Sequence, residues 1–571
     1  MRVLRSGLMG VIAVILVTSL FLAACSSSNS GDGQKPPADT NNGKKKEEGA
    51  PPKEEDKTEP AEITKIRVTL WDRGITPPDA APMKDNVILK YINEQMAPLG
   101  VEVEFAQIPR AEESEKLQVW MASGDAPDII LTYDIGIMNR FAEQGGLREL
   151  DDLLDKFGPD IKKNNAIALE QAGTYKGVRY AIPALRGNPY TGSNMSIRKD
   201  WLDKLNMKVP TTLDELTEVL RAFKEKDPGG IGKNNVVPFG LPALTGSGQS
   251  AFLYGTMAGM GIYSQGPFTE SNYWQAGNYV DGKFTPSVLM PEGKEYFRWM
   301  NQLFKEGLIS PEFATDANSQ RFKQDFSNGY IGFFDANNPP AAQNLEARKG
   351  APQVTYVTVD PFIDQHGKQF FNKVADYGMM IMIPKFTSDK KAEAAIKYLN
   401  WMVQPDVLIT LNRGIEGLHW ENKDGVASLL DKDVRAKDLW ILGYGDLEIM
   451  QQGLKVTEDL EKIKQENASH PDLQTPEKLQ EHAELTVAFY DMVRKYGKVG
   501  PTFTVPRPVN DRLGANLGKF LGEAVSKVII ADDFEKAYDQ LLSGWKGNGG
   551  DEWLEEANKV LQEMGYTPAS F

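Results

Sequence analysis

The chain has 571 residues, of which 41% are hydrophobic and 25% charged, and a formal charge of -15 at neutral pH. Such a length exceeds one compact core, so two or more lobes are expected. The acidic balance argues against nucleic acid as a partner, because phosphates need a basic face, and leaves neutral ligands open. The only cysteine is Cys25, so an internal disulfide is excluded.

Residues 1–7 carry Arg2 and Arg5, and Leu8 to Leu22 is a nearly unbroken apolar run. A basic start, a short apolar stretch and small residues before a processing point make a secretory signal. The run is too short, and too abruptly followed by polar residues, for a permanent span. Leu22-Ala23-Ala24-Cys25 resembles the bacterial lipobox. That resemblance implies cleavage before Cys25, lipid on its sulfur, and a location on the extracellular face of the cell membrane. An ordinary signal with an incidental cysteine is the competing reading. Loss of residues 1–24 removes Arg2 and Arg5 and leaves a charge of -17. From Cys25 to about residue 62 the chain is Ser-, Asn-, Gly- and Pro-rich, then charged, with almost nothing apolar. It cannot bury enough surface to offset its ordering entropy, and as a flexible tether it reaches about 35 Å on average.

Folded sequence is expected from Ile66-Arg67-Val68-Thr69-Leu70-Trp71, which alternates like a strand. Val87, Ile88, Tyr91, Ile92 and Met96 recur at helical spacing before Gly100, and Val101 to Phe105 alternates again. A helix through Leu117, Trp120 and Met121 then leads to a strand at Asp128-Ile129-Ile130-Leu131. Strand, helix, strand, helix, strand predicts a parallel sheet with crossover helices, whose ligands sit beyond the carboxyl ends of the strands. Trp71, Asp72, Tyr133 and Asp134 occupy those ends. Further on, Thr212 and Glu215 predict a capping box, and Gly329 to Phe334 and Met379 to Ile383 predict buried strands. Helices are expected over Leu447 to Lys464, over Thr475 to Tyr496, and after a cap at Asp551.

Met121 to Ile129 (MASGDAPDI) resembles a segment of the extracellular solute-binding proteins of bacterial ABC importers, especially the long LplA-type carbohydrate-binding lipoproteins. Tyr180 to Pro183, Met195 to Leu202, Pro210 to Leu216, Phe326 to Phe334, Arg413 to Gly417 and Gly549 to Trp553 extend the resemblance over about residues 64–567. It implies an α/β, periplasmic-binding-protein-like fold of two discontinuous lobes joined by a multi-strand hinge. Lobe one would take 64–184 and 357–445, and lobe two 185–356 and 446–571. The implied partners are an oligosaccharide ligand, permease subunits in the membrane and a lipid anchor, with no cofactor and a monomeric chain. Many long relatives carry a calcium loop where this chain has Asp227 to Val236. Here Gly229 and Ile231 offer no side-chain oxygen and Val236 replaces the closing acid, so no metal is expected.

Catalytic patterns are poorly represented. The folded part has no cysteine nucleophile and no Gly-x-Ser-x-Gly elbow. His366, His419, His470 and His482 lack metal-ligand spacing, and Gly229 to Asn234 is not a phosphate loop. Sugar sites pair aromatic platforms with Asp, Asn, Arg and Glu. Trp71, Tyr133, Phe334, Tyr377 and Trp420 adjoin Asp72, Asp134, Asp335, Asp376 and Glu416 with His419, and Arg413 stands nearby. These are the expected ligand residues, with Arg73, Arg186, Tyr190, Tyr254, Trp274 and Trp545 as weaker candidates; Trp120, Trp299 and Trp401 lie on helical stripes and are expected in the core. The competing functions are a secreted polysaccharide-degrading glycosidase or lyase, and the same fold binding peptide or another polar solute.

Overall fold

The computed structural model describes residues 63–566 except 73–75, 77–79, 81, 188–193, 243, 245–252, 264–275, 317–318, 337–338, 424–425, 431, 443–445, 454–458, 469, 471, 501–504 and 506. The signal, Cys25, the tether, Arg73, Tyr190 and Trp274 lie outside the described residues.

Alternation at the start of the folded chain produces Thr64–Asp72, paired in parallel with Val101–Pro109 over nine residues. Between them, Asn86 caps the helix Val87–Met96 by accepting from Ile88 N at 2.9 Å, and Gly100 turns the chain back at φ 69. A ten-residue helix is marginal alone. Ile88, Leu89, Ile92 and Met96 are buried, at about 2 kcal/mol each, and hold it on the sheet.

Ile129 continues the sheet by exchanging backbone hydrogen bonds with Arg67 and Thr69. Ile130–Thr132, Tyr377–Met382, Ala181–Arg186 and Gln451–Gln452 then follow in that spatial order. Met379 and Ile381 pack into the first core, with Ile66, Leu70, Ile92, Ala395 and Leu399. Met380 and Met382 face the other way, against Ile137, Met138 and Phe141. Burial on both faces explains why this strand reads as an unbroken apolar run.

A second sheet orders Tyr356–Val359, Asn194–Arg198, Ile331–Ala336 and Val237–Phe239. Its core gathers Ile197, Phe239 and Phe333 with the helices Leu213–Lys226, Pro291–Lys305, Pro508–Ile530, Phe534–Gly547 and Gly550–Glu563. Thr212 caps the first of these by accepting from Glu215 N at 3.2 Å. The Glu215 carboxylate reaches back in turn, taking the Thr211 N–H at 2.7 Å and interacting with the Thr212 N–H as well.

The chain leaves the first core at Gly187 and at Gly453 and crosses between the cores over 360–376, and these points are tied together. Leu185 N donates to Met450 O, Arg186 N to Asp376 O and Gly187 N to Gln452 O, at 2.9–3.0 Å. Val359 and Phe362 pack into the second core, because Tyr356–Val359 pairs with Asn194–Arg198, and Leu447, Ile449 and Met450 pack into the first. The expected helix from Leu447 is replaced by this buried segment and the strand Gln451–Gln452, and helix begins only at Leu460. Asp551 does not cap the last helix. Gly549 stands at that position, and the Asp551 carboxylate accepts from Trp545 Nε1 at 2.8 Å.

Candidate functional site

Because Thr64–Asp72 and the segment ending in Thr132 are sheet neighbours, their carboxyl ends emerge side by side. Trp71 and Tyr133 stack there, with ring centroids 5.4 Å apart and planes 23° apart. The third strand of this edge ends at Pro109, and the next residue, Arg110, lays its guanidinium 4.3 Å from the Trp71 ring centre and 5.6 Å from that of Tyr133. Contact between a cation and a ring face is attractive, and desolvation strengthens it.

Glu113 opens the helix Glu113–Ser123 and fixes this cation: Arg110 Nη1 donates to its carboxylate at 2.6 Å. Glu113 is only 5% exposed. Burial pushes its carboxyl above the usual range. Arg110 opposes the shift, as do hydrogen bonds to Thr132 and Trp71, and the Asp134 charge adds to it. Asp134 is exposed and caps the helix Ile135–Glu143, accepting from Gly136 N at 2.8 Å. Gln452, next to Gly453, donates its side-chain amide to the Tyr133 hydroxyl. It lies so close to Gly378 that a side chain there would collide with Gln452 Oε1. Tyr377, next to that glycine, is half-buried, and its carbonyl accepts from Arg186 Nε at 2.9 Å.

In the second sheet Asp335 is buried near the carboxyl end of Ile331–Ala336 and accepts from Gly255 N at 3.2 Å. Asn194 Nδ2 donates to Ser196 Oγ at 3.1 Å, and Ser196 Oγ to Gln343 Oε1 at 2.6 Å. Tyr254 is buried beside them, and its hydroxyl is pushed up by burial and then by the Asp335 charge. The two halves meet where Arg140 of the helix Ile135–Glu143 approaches Asp511 of Pro508–Ile530 at 3.9 Å. Burial pushes the Asp511 carboxyl up, Arg140 opposes, and Asp134 and Glu556 add to the rise.

Residues 90–414 match the family of bacterial extracellular solute-binding proteins. The chain belongs to this family. It is 26% identical over 492 residues to the polygalacturonan/rhamnogalacturonan-binding protein YtcQ of Bacillus subtilis (strain 168), covering 84% of this chain and 89% of that one. It is 25% identical over 480 residues to the lipoprotein LipO of the same organism, covering 81% and 87%. The crystal structure of an extracellular solute-binding protein from Bifidobacterium longum subsp. infantis superposes with a TM-score of 0.67 over 88% of this chain and 98% of that one; at 18% identity it shows the shared fold. These relatives are named as binding proteins or lipoproteins, not enzymes, and among the described residues no helix is long and apolar enough to cross a membrane.

Within this solute-binding protein the aromatic residues next to acids divide into two groups. Trp71, Asp72, Tyr133 and Asp134 are brought together, and Tyr377 is joined to them through Gly378 and Gln452; Trp71 is itself only 5% exposed and packs into the first core, so the half-buried Tyr133 carries the accessible ring. Phe334 is not: it is 2% exposed, packed edge-on against Phe322, Phe326 and Tyr356. Trp420 is buried, donating Nε1 to Gly414 O at 2.7 Å, and Glu416 is exposed beside it. Arg413 pairs with Glu466 at 3.5 Å, and His419 is buried against Ile415 N and Asp438. Trp545 packs on Trp553. Trp120, Trp299 and Trp401 pack partly buried against the cores.

Arg110, Glu113, Gln452, Arg140 and Asp511 were not singled out in the sequence. The strand-end rule that selected Trp71 and Tyr133 selects Arg110 too, once Val101 to Phe105 is extended to its true end at Pro109. In the loop from Asp227, that residue's carboxylate accepts from Ile231 N at 3.0 Å and Gly232 N at 2.9 Å. Among the described residues no three His, Cys, Asp or Glu cluster to hold a metal ion.

Proposed function

We propose that this solute-binding protein captures an oligosaccharide between two lobes built on the two cores and delivers it to a membrane permease driven by a separate ATPase. The observation that carries the reading is the Trp71–Tyr133 stack with Arg110 and Glu113, at strand ends beside the contact between the two halves. Sugars offer apolar ring faces and rims of hydroxyls, and this site supplies the half-buried Tyr133 ring, backed by Trp71 and edged with donors and acceptors. The name of the Bacillus relative YtcQ, a binder of two polysaccharides, supports the same ligand class. Asp335, Asn194 and Gln343 would complete the site from the second lobe. Ligand contacts made only in the closed form would favour closure by the difference in affinity between closed and open states.

In this reading Cys25 carries lipid and holds the protein on the extracellular face of the membrane, residues 25–62 give it reach, and the chain works as a monomer without covalent chemistry. A thermal-shift screen of the purified chain tests the ligand class. Stabilisation by oligosaccharides and not by peptides is expected. Stabilisation by peptides alone, or release of shortened products from a glycan, would overturn the reading.

A further inference from the structure

We propose that the ligand unit bound beside the half-buried Tyr133 carries a carboxylate, as a uronate does, and that Arg110, 35% exposed over the buried Trp71, is the residue that recognises it. This rests on the oligosaccharide reading and adds the charge class of the sugar. A guanidinium carries five N–H donors in a planar fork. One arm of Arg110 is committed, because Nη1 donates to Glu113 at 2.6 Å. Among the described residues no hydrogen bond engages Nε or Nη2, and the side chain is 35% exposed. The guanidinium carbon lies 4.3 Å from the Trp71 ring centre and 5.6 Å from that of Tyr133, so the fork stays in place before any ligand arrives. A fork with one arm tied, its face packed and its Nε–Nη2 edge unclaimed is set to take two oxygens side by side, which is the geometry of a carboxylate.

A neutral hydroxyl could accept from the same edge, but the charge favours an anion. A carboxylate adds opposite-charge attraction and two parallel hydrogen bonds to what a single hydroxyl can accept from the guanidinium. Glu113 occupies only the Nη1 arm of the guanidinium, at 2.6 Å, and leaves the Nε–Nη2 edge to a second anion. The acids Asp72 and Asp134 stand at the ends of neighbouring strands, so the region as a whole does not attract anions. A carboxylate gains there only where it meets Arg110. The guanidinium would thus select for position as well as charge.

The test measures calorimetric affinities of the whole mature chain for oligogalacturonates, oligoalginates and glucuronate-containing oligosaccharides, beside their methyl-esterified forms and neutral galacto- and gluco-oligosaccharides. At least one acidic oligosaccharide is expected to bind at least thirtyfold more tightly than its methyl ester. Arg110→Gln should reduce that ratio to within threefold of one. Arg110→Gln leaves Glu113 without its partner, so Arg110→Gln/Glu113→Gln is measured alongside, with thermal melting to establish that both fold. Arg110→Lys keeps the charge without the fork and should retain only part of the preference. Tight binding of neutral sugars with no gain from a carboxylate, or equal losses for acid and ester in Arg110→Gln, overturns this inference and leaves the oligosaccharide reading standing. Failure of every sugar, acidic or neutral, removes both.

Discussion

Arg140 and Asp511 approach to 3.9 Å across 371 positions of sequence, joining helices whose apolar faces belong to different cores. Both side chains are about two-thirds covered, so solvent weakens the attraction without abolishing it. We predict that Arg140→Gln and Asp511→Asn each loosen ligand binding about fivefold, equivalent to about 1 kcal/mol, by favouring the open form. The double variant should cost no more than either alone. Additive losses in that cycle, or none, would show that the contact does not couple the halves.

Gly378 admits the side chain of Gln452, which reaches the Tyr133 hydroxyl. Gly378→Ala should push Gln452 away from Tyr133 and weaken ligand binding about tenfold with little change in melting temperature. Gln452→Ser in the same chain removes the collision and should restore part of the affinity. Unaltered binding in Gly378→Ala would sink the assignment of Gln452 to the site.

Glu448 provides a pH dependence. It is buried between Asn412 and the turn before Gly453, and burial raises its carboxyl from the ordinary 4.5 to about 7, against hydrogen bonds from Asn412 and the Gly453 backbone. From about pH 4.5 to 7 the folded state keeps a proton that the unfolded chain has released, so this group lowers stability as pH rises through that window. The loss amounts to about 3 kcal/mol and is complete above pH 7. Glu448→Gln should flatten that segment of the stability profile and be more stable than the parent at pH 8. Denaturant titrations of both proteins from pH 4 to 9 measure it; parallel profiles would reject the assignment.

Phe334 should behave as a core residue. Phe334→Ala removes a ring packed on three others and should cost about 3–5 kcal/mol of stability while changing ligand affinity less than twofold. Tyr133→Ala, at the half-buried ring of the stack, should do the reverse to affinity, weakening it at least tenfold, while Trp71→Ala should lose both stability and affinity because that ring is buried behind it. A selective loss of binding in Phe334→Ala would return that residue to the site.

The anchor has its own test. Mass spectrometry of the native N-terminus should find Cys25 lipidated, and Cys25→Ala should move the protein from the membrane fraction to the medium. An unmodified cysteine would remove the anchor and leave ligand capture untouched.

Much of the first core was legible in the sequence, because Ile66 to Trp71 and Val101 to Phe105 alternate strictly and each strand meets its neighbour after one short helix. The site was legible in part. An aromatic next to an acid is a local pattern, whereas burial depends on partners far along the chain. Phe334 and Tyr133 share the pattern, but Phe334 is enclosed by Phe322, Phe326 and Tyr356 while Tyr133 stays half-buried at a strand end, stacked on the buried Trp71. Arg110 and Glu113 looked like two more charges in an acidic stretch, and only the end of the strand at Pro109 gives them a place. Gln452 was hidden in an expected helix, because Leu447 to Met450 is apolar enough to suggest one and its pairing partner, Arg186, lies 266 residues earlier.

The interleaving of the two cores also bears on biosynthesis. The first needs the segment that ends at Met450, and the second needs the last helices, through Leu561. While the polypeptide emerges from the ribosome, its N-terminal sheet lacks Met379, Ile381 and the 446–450 segment, so its apolar face stays uncovered until four-fifths of translation is done. Neither half can close early, so for most of its synthesis the nascent chain has no completed core.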